Sequence, residues 1–107
     1  MTHMKKNMLI GDESALLRRV MCDIINSDNK FQATDYCRDG LEAYEKLKHT
    51  SYDGVVLDVN MPRMDGLQLL EKLQKEGIRA NVVMVSTLTD SREADVTILA
   101  MERGAID

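Results

Sequence analysis

The sequence lacks the features that mark exported, disulfide-bonded or membrane proteins. It has two cysteines, Cys22 and Cys37, which are far apart and form no Cys-x-x-Cys pattern. We interpret them as small, partly buried thiols in a reducing compartment. No apolar run approaches membrane-spanning length, and the first residues lack the apolar core of a signal peptide. We therefore expect a cytoplasmic protein with no membrane partner.

The sequence also lacks an excess of positive charge, and histidine is nearly absent. There are 14 Lys and Arg against 18 Asp and Glu, a net charge of -4, which argues against direct binding of nucleic acid. His3 and His49 have no neighbours at metal-ligand spacing, which argues against a zinc site. The 107 residues are enough for one domain. We predict a tail at 1–6 and a single domain at 7–107.

Apolar runs and helically spaced apolar residues alternate along the chain. We predict strands at 8–10, 31–36, 55–58 and 82–85, helices at 15–25, 41–47, 67–73 and 90–103, and the start of a fifth strand at 105–107. Strict alternation with short loops predicts an α/β protein with a flavodoxin-like, doubly wound parallel sheet. The second strand is mixed in polarity and belongs at an edge, which fits the order 2-1-3-4-5. On this prediction the chain ends where strand five starts.

Polar residues follow the three most apolar strands. Strand one is followed by Asp12 and Glu13, strand three ends at Asp58, and strand four ends at Ser86 and Thr87. The carboxyl ends of parallel strands meet at one edge of a sheet, so we expect these side chains to lie together. Neighbouring carboxylates cannot all stay ionised unaided. Either they share protons or a hard divalent cation lies among them, and the lack of His and Cys nearby favours Mg²⁺ over zinc.

A carboxylate beside bound Mg²⁺ can attack a phosphoryl group and form an aspartyl phosphate. On this interpretation Asp58 is the nucleophile, and Ser86 donates a hydrogen bond to a phosphoryl oxygen. The alternative is that each acidic residue caps a helix, which is the usual role of an acid that follows a strand. Clustering at neighbouring strand ends favours the functional interpretation.

From about Lys6 to Asp107 the sequence is similar to response-regulator receiver domains of two-component signalling. The resemblance is carried by the acidic pair after strand one, by Leu-Asp-x-x-Met-Pro-x-Met-Asp-Gly around Asp58, by Ser86, and by Gly-Ala-x-Asp at 104–107. It implies that Asp58 accepts a phosphoryl group from a phosphohistidine on a histidine kinase and that Ser86 moves toward it. Such a domain is a regulatory phosphoacceptor and not a turnover enzyme.

The same resemblance implies a metal site. Asp12, Glu13 and Asp58, with the backbone carbonyl of Asn60, would hold Mg²⁺. Glu13 stands where the family more often has a second aspartate, so its longer side chain would reach the metal directly or through water. The lysine that the family places after strand five would lie beyond Asp107. We therefore expect the domain to be incomplete at its C-terminal end, as a truncated chain or, alternatively, as a receiver that recruits another chain's strand.

The residues around Asp58 and the segment Met-Val-Ser-Thr-Leu-Thr at 84–89 resemble the receiver half of chemotaxis protein-glutamate methylesterases. In that group the receiver inhibits a C-terminal esterase until it is phosphorylated, which implies a chemotaxis kinase as partner and a linked methylesterase as output. A stand-alone chemotaxis regulator and a transcription factor's input domain are alternatives. The predicted helix at 90–103 would be the partner-facing surface.

Two functions from other classes fit the residues less well. A haloacid-dehalogenase-type phosphohydrolase needs its nucleophile on the first strand and a second Asp where this chain has Asn60. A flavodoxin-like cofactor binder needs hydrogen-bond donors after strand one, where this chain is acidic at Asp12 and Glu13.

Overall fold

The computed structural model describes residues 5–87 and 96–100, with the backbone alone at 86–87 and 96–100. Five strands form one sheet in the order β2-β1-β3-β4-β5. The strands are β1 (Lys6–Gly11), β2 (Phe31–Cys37), β3 (Gly54–Asp58), β4 (Val82–Thr87) and β5 (Val96–Ala100). The first four are parallel. The predicted α/β fold and the order 2-1-3-4 are confirmed, with the mixed-polarity β2 at an edge.

Three helices connect these parallel strands: α1 (Ala15–Asn26), α2 (Gly40–His49) and α3 (Gly66–Lys75). Each begins at a capping side chain that accepts a hydrogen bond from the first helical turn, Ser14 for α1, Asp39 for α2 and Asp65 for α3. None of the three is long and apolar enough to cross a membrane, and the described residues contain no other candidate span.

The main core lies between the sheet and the pair α2 and α3. The side chains of Leu9, Val55 and Leu57, from β1 and β3, are completely buried on this face. They face apolar residues of the two helices, which are Ala43, Tyr44, Leu47, Leu69, Leu70 and Leu73. Because α2 and α3 lie on this core, the loops that lead into them are held against the same edge of the sheet.

Helix α1 lies over the opposite face of the sheet without closing on it. All twelve residues of α1 are described and none is buried, and Leu16, Val20 and Ile24 are 72%, 43% and 63% exposed. An apolar groove of about 620 Å³ separates the helix from the sheet. Its sheet side is lined by Met8, Val56, Val83 and Val85. The predicted apolar stripe of α1 therefore exists, but it lines a groove instead of a closed core.

The predicted helix at 90–103 is wrong over Val96–Ala100, which forms β5. This strand pairs antiparallel with β4, with Thr97 opposite Ser86 and Ile98 opposite Val85. The physical reason is the β-branched run Val96, Thr97 and Ile98, which favours a strand and can satisfy the hydrogen-bonding groups along the edge of β4. The rest of that helix, and the fifth strand predicted at 105–107, lie outside the described residues.

Candidate functional site

The carboxyl ends of β1 and β3 are direct neighbours in the sheet. Gly11 at the end of β1 pairs with Leu57, so Asp12 and Asp58 follow two paired residues. Both side chains are buried, with 1% and 4% of their surface exposed. The structure thus places these two predicted site residues together at one edge of the sheet.

Asp12 is held by its neighbours but keeps one carboxylate oxygen without a hydrogen bond. Its Oδ1 accepts from the backbone N–H of Ser14 at 2.8 Å, and its backbone carbonyl accepts from the Arg18 guanidinium at 2.9 Å. Oδ2 is buried and has no hydrogen-bond partner among the described residues. A buried carboxylate oxygen without a donor costs free energy, so the position is suited to a cation.

Burial raises the pKa of Asp12 from 3.8 to about 6. The Ser14 N–H acts in the opposite direction, and the neighbouring Asp58 carboxylate raises the pKa further. The Asp58 carboxylate therefore disfavours the charged form of Asp12, as expected for carboxylates at adjacent strand ends.

Asp58 is fixed by the main chain around it. The backbone N–H of Asn60 donates to Asp58 Oδ1 at 3.1 Å. Asp58 pairs with Val85 of β4, and the next N–H, from Val59, donates to the Val85 carbonyl at 3.0 Å. The carboxylate therefore lies between β1 and β4, at the last residue of a buried strand.

The alternative role as helix caps is wrong for both acids. Ser14 caps α1, with its hydroxyl accepting from the Leu17 N–H, and Asp65 caps α3. Neither Asp12 nor Asp58 is the N-cap of these two helices, although both side chains are buried. Two buried carboxylates at this position therefore favour the functional interpretation.

The remaining predicted ligands are less closely grouped. Glu13 and Asn60 are exposed. Within residues 5–87 and 96–100, no three His, Cys, Asp or Glu side chains lie close enough together to hold a metal ion. Asp12 and Asp58 are thus a pair, and the metal-binding roles of Glu13 and the Asn60 carbonyl stay predictions. The Ser86 side chain lies outside the described part, so its role also stays a prediction.

Sequence reasoning missed the contact that holds the loop after β3. Asp39, interpreted from the sequence only as part of a turn, accepts from Arg63 Nη2 at 2.6 Å. It follows the carboxyl end of β2, so it lies at the same edge as Asp12. That position after a strand was the available signal. No local pattern around Arg63 indicated the pairing.

Comparison with known proteins identifies the family of the chain. The family model for the response regulator receiver domain matches residues 8–107. A protein-glutamate methylesterase/protein-glutamine glutaminase of Thiobacillus denitrificans is 47% identical over 105 residues. That match covers 97% of this chain and 29% of the relative. The chain spans less than a third of the length of the curated relatives it matches.

Solved structures show the same likeness. The response regulator domain of Thermotoga maritima CheB superposes with a TM-score of 0.72 at 34% identity, covering 85% of this chain and 66% of that one. A chain of the CheX-CheY-BeF3-Mg²⁺ complex from Borrelia burgdorferi is also similar. That match has a TM-score of 0.69 at 34% identity and covers 81% of this chain and 66% of that one.

Proposed function

Because the chain belongs to the response regulator receiver domain family, we propose that it is a phosphoacceptor switch of two-component signalling in the cytoplasm. Asp58 is the phosphoacceptor and a histidine kinase is the phosphoryl donor. The observation that carries this proposal is the buried pair of Asp12 and Asp58 at the carboxyl ends of neighbouring strands. Two acids without a capping role, one of them with an unpartnered oxygen, support a site for a cation and a phosphoryl group.

In the proposed reaction a carboxylate oxygen of Asp58 attacks the phosphorus of a phosphohistidine. A P–O bond to Asp58 forms as the P–N bond breaks, and the imidazole nitrogen keeps the electron pair and takes up a proton. The Asn60 N–H, which donates to Asp58 Oδ1, fixes the orientation of the attacking carboxylate. The phosphoryl group thus arrives at the edge of the sheet, where β4 ends one strand away.

Magnesium fits the residues of this site. The buried, unpartnered Oδ2 of Asp12 and the carboxylate of Asp58 are hard oxygen donors, and Mg²⁺ keeps several waters and needs few protein ligands. We propose that Asp12 and Asp58 hold it, with Glu13 and the Asn60 carbonyl completing the set. When bound, Mg²⁺ neutralises the carboxylates and the charge that develops on the transferred phosphoryl group.

The signal would leave the site through β4. Ser86 follows Val85, the residue that pairs with Asp58. We propose that its hydroxyl donates a hydrogen bond to the phosphoryl group and so couples Asp58 to β4.

For the output, we propose regulation of a linked protein-glutamate methylesterase in chemotaxis, with a chemotaxis-type kinase as donor. The support is the 47% identity to one such protein over 97% of this chain, together with the likeness to a CheB response regulator domain. Since the chain spans only 29% of that relative, the proposal concerns the regulation of the esterase and not its catalysis.

Acetyl phosphate tests the phosphoacceptor role without a kinase, because it can donate its phosphoryl group directly and release acetate. With Mg²⁺ present, intact-mass spectrometry should show one added phosphoryl group on the protein. Asp58→Asn should remove it. Asp53→Asn is the matched control, since Asp53 lies at the other end of β3 and is exposed. An adduct that survives in Asp58→Asn, or its absence from the unsubstituted protein, would contradict the proposal.

A further inference from the structure

Arg63 adopts a backbone conformation that side chains disfavour. Its φ is 66°, in the left-handed region, and it is the one non-glycine residue with positive φ among those described. Across it, the Met64 N–H donates to the Pro62 carbonyl at 2.7 Å, closing a γ-turn. A turn of this kind is strained and persists only where the surrounding structure holds it. We therefore expect contacts of the Arg63 side chain and of its neighbours to hold this conformation.

The Arg63 side chain is paired with a buried carboxylate. Its Nη2 and Nε donate to Asp39 Oδ2 at 2.6 and 3.0 Å. The Asp39 side chain is only 8% exposed, and its Oδ1 accepts the Glu42 N–H at 2.9 Å as the cap of α2. Asp39 is thus fixed to the helix, and the charge-assisted pair attaches Arg63 to it.

A main-chain contact lies beside this pair. The Gly40 N–H, at the start of α2, donates to the Met64 carbonyl at 3.0 Å. We call these two contacts, Arg63 with Asp39 and Gly40 with Met64, the Arg63 clasp. Together they attach two consecutive residues of the loop after β3 to the cap and the first residue of α2.

The same loop carries the main-chain groups at Asp58. At its start the Asn60 N–H donates to Asp58 Oδ1, and at its end the Gly66 N–H donates to the Val59 carbonyl at 2.9 Å. The start of the loop is thus held to the last residue of β3, its end is held to Val59, and the Arg63 clasp holds the middle to the start of α2. Movement of Arg63 would be passed to Asn60 over only three residues.

We propose that Arg63 is a positioning residue for the acidic site: through the Arg63 clasp it holds the main chain of Asn60 at Asp58 and so sets the affinity for Mg²⁺. This inference rests on the proposed function, because it requires a cation at the pair of Asp12 and Asp58. Phosphoryl transfer at Asp58 does not itself require an ion pair at the start of α2, so the role of Arg63 and Asp39 is an addition to the proposed function.

The test measures Mg²⁺ binding itself, by calorimetric titration with MgCl₂ and no phosphoryl donor. Arg63→Gln keeps much of the length and loses the charge, and Asp39→Asn keeps a capping side chain and loses the charge. Each should weaken Mg²⁺ binding about tenfold, the lower end of the range for groups that orient metal ligands. The double variant should be no weaker than either single one, because both remove the same contact. Arg63→Lys should restore part of the affinity.

Arg63→Gly separates positioning from stability. Glycine adopts positive φ without strain, which offsets part of the stability lost with the Asp39 pair, so this variant should be at least as stable as Arg63→Gln. It should still bind Mg²⁺ more weakly than the unsubstituted protein. Lys46→Gln is the matched control, since it breaks another ion pair of α2, with Asp35 at 3.2 Å, that does not touch the loop. Its Mg²⁺ affinity should not change.

The outcomes distinguish this inference from the proposed function. If Arg63→Gln and Asp39→Asn bind Mg²⁺ as the unsubstituted protein does, the positioning role is wrong even though Asp58 takes a phosphoryl group. If the unsubstituted protein binds Mg²⁺ but takes no phosphoryl group from acetyl phosphate, the proposed function is wrong. The Mg²⁺ affinities of the variants then still decide the role of Arg63.

Discussion

The backbone N–H of Gly40 lies 3.0 Å from the carbonyl oxygen of Met64, so the first residue of α2 touches the loop after β3 directly. A Cβ atom at Gly40 would overlap that oxygen and the Met64 carbonyl carbon. Backbone atoms cannot move aside as a flexible side chain does. The contact therefore depends on the absence of a side chain at Gly40.

Gly40→Ala should destabilise the protein, because the added methyl group forces α2 and the loop apart. We expect the free energy of unfolding to fall by about 2 to 3 kcal/mol, as for other overpacked sites. Urea denaturation followed by circular dichroism measures it. Gly77→Asn is the control: Gly77 has a φ of 69° and nothing within 4 Å of an added Cβ, and Asn tolerates that conformation. Equal losses in the two variants would contradict the steric explanation.

Two leucines of α3 test which face of that helix supports the core. Leu69 is completely buried and Leu67 is 49% exposed. Leu69→Ala should lower the free energy of unfolding by about 3 kcal/mol, because it removes buried methyl groups and leaves a cavity. Leu67→Ala should cost less than about 1 kcal/mol, as is usual for exposed sites. The same denaturation measurement is made on both variants. A larger loss for Leu67→Ala than for Leu69→Ala would contradict the orientation of α3 on the sheet.

The pKa of Asp12 predicts an unusual pH dependence. Folding raises that pKa from 3.8 to about 6, chiefly by burial. Between these values Asp12 binds more protons in the folded protein than in the unfolded chain, so its contribution to stability falls as the pH rises through the window. A pKa rise of this size corresponds to a contribution of about 3 kcal/mol to the free energy of unfolding. That contribution is present below about pH 4 and lost above about pH 6.

This dependence should be measured without divalent cations, from about pH 4 to pH 7, by denaturation at each pH. Asp12→Asn should flatten the profile and make the protein more stable than the unsubstituted one at neutral pH, since it removes the buried charge. Adding Mg²⁺ should restore stability to the unsubstituted protein at neutral pH, because ligands that bind only the folded state stabilise it. Stability that rises across this window, or a slope that persists in Asp12→Asn, would show that Asp12 is not responsible.

Much of the site could be predicted from sequence because it depends on strand order. Short apolar runs that end in Asp12 and Asp58 predict adjacent strand ends once the order 2-1-3-4 is known. That placement needs no knowledge of side-chain packing. The burial of both acids then follows from their position at the ends of strands that are buried on both faces.

The parts that sequence reasoning missed depend on contacts between distant residues. The pair of Asp39 and Arg63 joins positions 24 residues apart, and the positive φ of Arg63 is stabilised by that pairing and not by its own preference. The segment that forms β5 has helically spaced apolar residues as well as β-branched ones. Pairing with the open edge of β4, a tertiary effect, decided between them over Val96–Ala100.

Within the described residues, the helices cover the two faces of the sheet unequally, and we expect the two sides to unfold with different cooperativity. The fully buried side chains that join helices to the sheet belong to α2 and α3, while α1 has none. Backbone amides of α1 should therefore exchange with solvent through a partial opening that leaves the sheet, α2 and α3 folded. In such an opening Arg18 leaves the Asp12 carbonyl, while the clasp between α2 and the loop stays closed. We therefore expect the acidic site to lie between α1, which opens first, and the unit formed by the sheet, α2 and α3, which opens last.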